Sequence, residues 1–300
     1  MKTKLKNISV PQTIGAQISQ KISDLKVLTK FRLSMMVVFS AGIGFILGAG
    51  AGFVWADFLL LCLGGYCLTG ASNALNQVIE KDFDKLMPRT ENRPLATGRM
   101  SVSEGVLIAG VLSVSGLLIL ATFNTIVAFL GAISLLSYAF VYTPLKRVSP
   151  IAVIVGAFPG AFPPMIGWVA ATGYIGMEAL ILFGIQFMWQ FPHFWAIAWV
   201  AFEDYAKGGF NLLPSKKRDK SSAMQCVIYS LILIPTSLLL YFMGVTGLVS
   251  AIIVGITGLL YLLASINLYM KCDRKAALQL MFSSFLYLPI VLIALCADKL

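Results

Sequence analysis

Charge is scarce in this 300-residue chain: Asp, Glu, Lys and Arg make up 12% of it and apolar residues 58%. Soluble domains carry about a quarter charged residues, so the shortage excludes a water-exposed globule. Histidine occurs once. The five cysteines, Cys62, Cys67, Cys226, Cys272 and Cys296, show no metal-binding arrangement, so packing is the expected role for them. Short segments of alternating polarity are missing, which excludes a membrane barrel and leaves helices. No Ser/Pro-rich linker or low-complexity stretch divides the chain, so one domain is expected. Residues 1–30 hold six Lys, one Asp and no Arg, without an apolar centre. That pattern argues against a secretory signal and a mitochondrial transit peptide. A cytoplasmic N-terminal arm on the membrane surface is expected there.

What the chain does have is long apolar runs. Nine of them approach the roughly 20 residues a bilayer requires, at about 31–50, 55–76, 102–122, 124–143, 150–171, 177–200, 225–245, 247–267 and 278–297. The expected fold is all-α, a polytopic transmembrane bundle of about nine helices spanning 31–300. With nine crossings, 22 of the 23 Lys and Arg fall on one side, and only Lys299 lies opposite. The positive-inside rule then puts the N-terminus in the cytoplasm and the C-terminus outside, as in a bacterial inner-membrane protein. The net charge of +10 follows from basic loops beside anionic lipid and needs no nucleic acid.

Two loops on that side are long and acid-bearing, 77–101 and 201–224, after the second and sixth runs. In the first, Asn76, Glu80 and Asp84 recur every fourth residue, a helical stripe that advances about 40° per step. Stacked carboxylates repel unless a cation lies between them, and Mg²⁺ suits one or two carboxylates plus phosphate oxygens. Arg89 and Arg93 follow, again four apart, and guanidinium groups grip phosphate. A solvated, salt-bridged helix end is the plainer alternative.

The second constellation runs from Trp189 to Pro214, WQFPHFWAIAWVAFEDYAKGGFNLLP. His193 and Asp204 are eleven residues apart, which on a continuous helix turns both the same way within about 20°. His193 follows Gln190 and Pro192 among crowded aromatics. It is a hydrogen-bonding core residue, an iron ligand, or a group that holds an acidic substrate. Tyr142, Lys146 and Arg147 close the fourth run. Glycines and prolines between Gly156 and Gly167 interrupt the fifth, where kinks and close helix approach can open a cavity.

From about Lys30 to the last run, the chain resembles the protoheme IX farnesyltransferases (heme O synthases) of the intramembrane prenyltransferase superfamily. DFDKLMPRTENRPL, YTPLKR, GAFPPMIGW and WQFPHFWAIAW…EDY…LLP carry the resemblance. It implies a central cavity open to the cytoplasmic side, and farnesyl transfer from farnesyl diphosphate to a vinyl group of heme B, giving heme O. It further implies Mg²⁺ held by Asn76, Glu80, Asp84 and Asp204, with Glu80, Asp84 and Asp204 catalytic. Diphosphate falls to Asn76, Arg89, Arg93, Tyr142, Lys146 and Arg147, and heme to His193 and Gln190. The partners implied are farnesyl diphosphate, heme B, membrane lipid and a downstream heme A-forming enzyme, with no nucleic acid. Siblings that prenylate a quinone precursor or chlorophyll-type ring need acids in place of Gln190 and His193. The non-enzymatic alternative is a heme-binding assembly protein or a transporter, and a transporter would carry its polar groups at mid-membrane. Departures are mild. Asn76-Gln77 stands where the superfamily has Asn-Asp, Glu80 where it has Asp, Lys30-Phe31-Arg32 where Lys-Pro-Arg is common, and Leu212-Leu213-Pro214 where Met-Leu-Pro is usual.

Overall fold

The computed structural model describes residues 14–300, which are helices and connecting turns with no sheet among them. The first thirteen residues of the arm, with Lys2, Lys4 and Lys6, lie outside the described residues. Among the described residues, helix α1 (Ile14–Leu28) precedes nine helices long and apolar enough to cross a membrane. These are α2 (Phe31–Ala49), α3 (Trp55–Asp84), α4 (Val102–Ala121), α5 (Thr125–Leu136) together with its continuation to Leu145, α7 (Ala152–Thr172), α8 (Met177–Val200), α10 (Lys220–Phe242), α11 (Leu248–Lys271) and α12 (Arg274–Ala297). The short α6 (Thr143–Leu145) extends the α5 span, and α9 (Phe202–Lys207) lies in the loop after α8. Each apolar run expected from the sequence is thus a helix, since a bilayer leaves backbone groups no other partner.

Side chains close the helix ends. Ser101 and Glu104 form a reciprocal capping box on α4, and Asn124, Asp219 and Asp273 cap α5, α10 and α12. Such caps satisfy amide groups that the first turn leaves unpaired. At the α2–α7 crossing, the backbones nearly touch: a Cβ on Gly44 would lie 2.0 Å from the Pro164 carbonyl oxygen, and one on Gly167 1.8 Å from that of Ala41. Only glycine permits this approach.

Pro163 and Pro164 lack the amides that would bond to the carbonyls four residues earlier. Those carbonyls find side-chain donors instead: Pro159 O accepts from Ser134 Oγ at 3.2 Å and Gly160 O from Gln186 Nε2 at 2.6 Å. Between α2, α3, α5, α7, α8 and α12 lies a mostly apolar cavity of about 470 Å³, within the roughly 300–1,000 Å³ of small-molecule sites. Apolar side chains such as Leu107, Leu118 and Phe129 cover the outer surface.

The described part of the arm is docked. Gln77 Nε2 donates to the Val27 and Leu28 carbonyls at 2.9 and 2.8 Å, and Arg99 pairs with the buried Asp24 at 3.1 Å. Ile14, Ile18, Ile22 and Leu25 form an exposed apolar stripe on α1. All five cysteines are free thiols.

Candidate active site

Helix α3 continues eight residues past the end expected for its apolar run, to Asp84. The extension places Asn76, Glu80 and Asp84 along one face, all buried. Each meets a cation from elsewhere in the chain. Lys30 Nζ donates to Asn76 Oδ1 at 3.0 Å, Lys146 Nζ forms an ion pair with Glu80 Oε1, and Arg93 Nη1 donates to both Asp84 oxygens at 2.8 and 2.7 Å. The three residues of the stripe are therefore brought together with Arg93 and Lys146, as the sequence leads one to expect. Lys30 joins them.

Local structure explains how these partners arrive. Lys30 joins α1 to α2 in a left-handed conformation, φ 47° and ψ 56°, which costs a non-glycine residue about 1 kcal/mol or more. Ahead of Pro144, which cannot donate to a carbonyl, Ser137–Tyr142 winds as a wider π-helix turn, and the Thr143 amide reaches back to Tyr138 O. Turns of this kind are common at functional sites. Here it sets the Tyr138 and Tyr142 rings 5.2 Å apart, with Lys146 Nζ 5.0 Å from the Tyr142 ring centre. Thr143 Oγ1 accepts from Asn76 Nδ2 at 3.1 Å, tying the turn to α3.

The cluster has more positive than negative charge. Lys30, Arg93 and Lys146 share the carboxylates of Glu80 and Asp84, while Arg89 and Arg147 have no carboxylate partner among the described residues. Burial, then the nearby Arg93 and Lys146, pushes the Lys30 ammonium down to about 7. Burial likewise lowers Lys146, opposed by Glu80. Buried cations that depress one another create a place where an anion binds favourably.

The two acid-bearing loops meet over this cluster. Arg89 lies 5.7 Å from the Tyr205 ring, Arg147 3.7 Å from the Phe83 ring, and Lys146 5.4 Å from the Phe210 ring. Burial raises the Tyr205 hydroxyl, while Arg89 pulls it the other way. Asp204 precedes Tyr205 on α9, but it does not continue the His193 face of α8. The helix breaks at Ala201, with φ −95° and ψ 19°. The eleven-residue spacing thus spans two helices, and the three-turn geometry expected from it is not formed. Among the described residues, no three His, Cys, Asp or Glu side chains gather as a metal site.

The oxygen donors of α3 nevertheless suit a hard cation. Asn76, Glu80 and Asp84 offer only oxygen, and Glu80 Oε1 is buried with no hydrogen bond of regular geometry. One or two carboxylates completed by phosphate oxygens and water are an ordinary Mg²⁺ environment.

His193 and Gln190 lie away from this cluster, on the wall of the 470 Å³ cavity, which Tyr138 and Tyr142 also line. The tyrosines therefore connect the ionic cluster to the apolar space. Gln190 Nε2 donates to the Ala157 and Gln186 carbonyls at 3.1 and 3.0 Å. Sequence reasoning missed four contributors: Lys30 as a partner of the stripe, Tyr138, Tyr205, and Ser284, which contacts His193. Lys30 stood in the Lys30-Phe31-Arg32 triplet already noted, and Tyr205 inside the second constellation. Ser284 gave no local signal.

Comparison with known proteins places this geometry. Residues 37–288 match the UbiA prenyltransferase family. The protoheme IX farnesyltransferase of Cytophaga hutchinsonii is 50% identical over 275 residues, covering 91% of this chain and 96% of that protein. That of Flavobacterium psychrophilum is 50% identical over 289 residues, covering 94% and 96%. Among solved structures, a digeranylgeranylglyceryl phosphate synthase superimposes with TM-score 0.80 at 19% identity, covering 93% of this chain and 98% of that one. A UbiA homolog from Archaeoglobus fulgidus bound to GPP and Mg²⁺ gives TM-score 0.68 at 16% identity, covering 91% and 99%. The two solved structures share the fold.

Proposed function

Since the chain belongs to the UbiA prenyltransferase family, we propose that it transfers the farnesyl group of farnesyl diphosphate to a vinyl group of heme B, giving heme O and diphosphate. The observation that carries this reading is a buried cluster with surplus positive charge adjoining an apolar cavity. The half identity to two proteins named for that reaction supports the acceptor.

The chain's own groups then divide the work. Lys30, Arg93 and Lys146 exchange their carboxylate and amide partners for the diphosphate oxygens, with Arg89 and Arg147 at the rim. Charge accumulates on the leaving diphosphate as its bond to carbon breaks, so these cations act most strongly in the transition state. Asn76, Glu80 and Asp84, with Asp204 from the facing loop, are the oxygens offered to Mg²⁺, which supplies further neutralisation of the diphosphate when bound. The Tyr138 and Tyr142 rings face the allylic carbon, where aromatic faces stabilise positive charge. The apolar cavity keeps bulk water from quenching that carbon early. His193 and Gln190 sit on the heme side. One water completes the hydroxyethyl group, its hydroxyl adding to the vinyl carbon that does not receive farnesyl and its proton leaving.

The protein is a multi-pass membrane protein. On the positive-inside rule we place the ionic cluster at the cytoplasmic face of a bacterial inner membrane, with the cavity open toward it and the C-terminus outside. The exposed stripe of α1 rests on the lipid surface, and the product passes to a heme A-forming enzyme.

Incubating membranes that contain the protein with heme B, farnesyl diphosphate and Mg²⁺ tests the reading. Mass spectrometry is expected to find heme gaining one farnesyl group and one hydroxyl. Prenylation of a quinone precursor supplied in a parallel incubation, with none of heme, would reject the acceptor and favour the sibling reaction.

A further inference from the structure

The only histidine of the chain is held in one tautomer by the helix it faces. His193 Nδ1 lies 2.7 Å from Ser284 Oγ on α12, and both side chains are buried. Ser284 Oγ is also 2.5 Å from the Met281 carbonyl oxygen. A carbonyl only accepts and a serine hydroxyl has a single proton. At that separation the proton lies between Ser284 and Met281, so the hydroxyl can offer His193 only a lone pair. Nδ1 therefore carries the imidazole proton, and Nε2 is left as a bare lone pair.

Nε2 has no hydrogen-bond partner among the described residues, and His193 lines the cavity. The ring is fixed in orientation. Trp189 stacks on it at 4.5 Å with the planes 19° apart, and Phe285 meets it edge-on at 5.2 Å. Trp189 Nε1 donates to the Ser284 carbonyl at 2.9 Å, so one indole positions both the imidazole and the serine that sets its tautomer. This decides among the readings the sequence left open. With Nδ1 carrying the proton, the neutral ring has none on Nε2 to donate to a carboxylate. Its surroundings of Trp189, Phe194 and Phe285 offer no counter-charge to favour a second proton, which counts against a grip on an acidic group. Core hydrogen bonding uses only Nδ1. A lone pair on a rigid ring, in a cavity walled by aromatic faces, is the arrangement of a metal ligand whose other nitrogen is hydrogen-bonded behind it.

We infer that His193 Nε2 is the axial ligand of the iron in a flat tetrapyrrole substrate, and that Ser284 is the positioning residue that presents it. The inference rests on heme being the acceptor. An iron–nitrogen bond fixes the height and tilt of the macrocycle in the cavity, so that a vinyl group on its edge meets the farnesyl chain coming from the ionic cluster.

The full-length protein in detergent, given ferrous heme B without farnesyl diphosphate, provides the test. Resonance Raman spectra are expected to show an iron–histidine stretch that disappears in H193A. In S284A, the stretch is expected to persist at lower frequency, because Nδ1–H loses its acceptor. Heme affinity there should fall about tenfold or more. S284T keeps a hydroxyl and is expected to retain the wild-type frequency. Farnesyl diphosphate affinity, measured on each variant, identifies any that fails to fold. A stretch absent from the wild type, one that survives in H193A, or the same frequency in S284A as in the wild type would overturn the assignment. Heme O formed by a wild type that lacks the stretch would defeat the ligand assignment alone. An iron–histidine complex that is never farnesylated would defeat the proposed reaction alone.

Discussion

Asp84→Ala is expected to abolish farnesyl transfer and also to destabilise the protein, and the two effects can be separated. Asp84 is 1% exposed and accepts both of its hydrogen bonds from Arg93. Removing it leaves a half-buried guanidinium without its counter-charge, a change that costs roughly 3–5 kcal/mol. Removing Arg93 as well takes away that penalty. D84A/R93A should therefore unfold closer to the wild-type temperature while remaining inactive. Turnover in D84A above a hundredth of wild type would contradict a role for this carboxylate in the reaction. Recovery of stability in the double variant, with turnover at saturating farnesyl diphosphate below that of R93A alone, would support one. Arg93→Ala alone should weaken farnesyl diphosphate binding, since it removes a cation assigned to the diphosphate.

The largest effect on folding is expected at Gly167. A Cβ there would lie 1.8 Å from the Ala41 carbonyl oxygen and 2.7 Å from the Phe45 amide nitrogen, both backbone atoms of α2. Neither can rotate aside, so the helices must part. Overpacking of cores costs about 1–3 kcal/mol even where side chains can adjust, and G167A should exceed that range. Gly255 is a control within a helix of the same bundle, where an added Cβ would meet nothing within 4 Å. G255A should be neutral or stabilise by about 0.5–1 kcal/mol. Thermal unfolding of both in one detergent checks the contrast, and equal melting temperatures would show that α2 and α7 can part at little cost.

The bundle was legible because apolar runs of bilayer length leave few alternatives. The stripe at Asn76, Glu80 and Asp84 was legible because α3 stays helical beyond the apolar run, so its four-residue spacing holds. The same reasoning failed between His193 and Asp204, where no Gly or Pro marks the break at Ala201 and periodicity carried across it means nothing. Lys30 and Ser284 were invisible for another reason. Each matters through a contact with a distant helix, 46 residues away for Lys30 and 91 for Ser284. A serine within an apolar helix looks locally like any other small residue. The surplus of cations over acids also became visible only when three separate segments met.

On this reading, the α3 oxygens and the cations now paired with them form one site for a metal-bound diphosphate. Farnesyl diphosphate affinity, measured at constant ionic strength with and without Mg²⁺, tests it most directly in the wild type and D84N. Mg²⁺ is expected to tighten binding by at least about tenfold, or 1.4 kcal/mol, in the wild type and to have little effect in D84N. Equal affinity with and without Mg²⁺ in the wild type, or an undiminished response in D84N, would contradict the account.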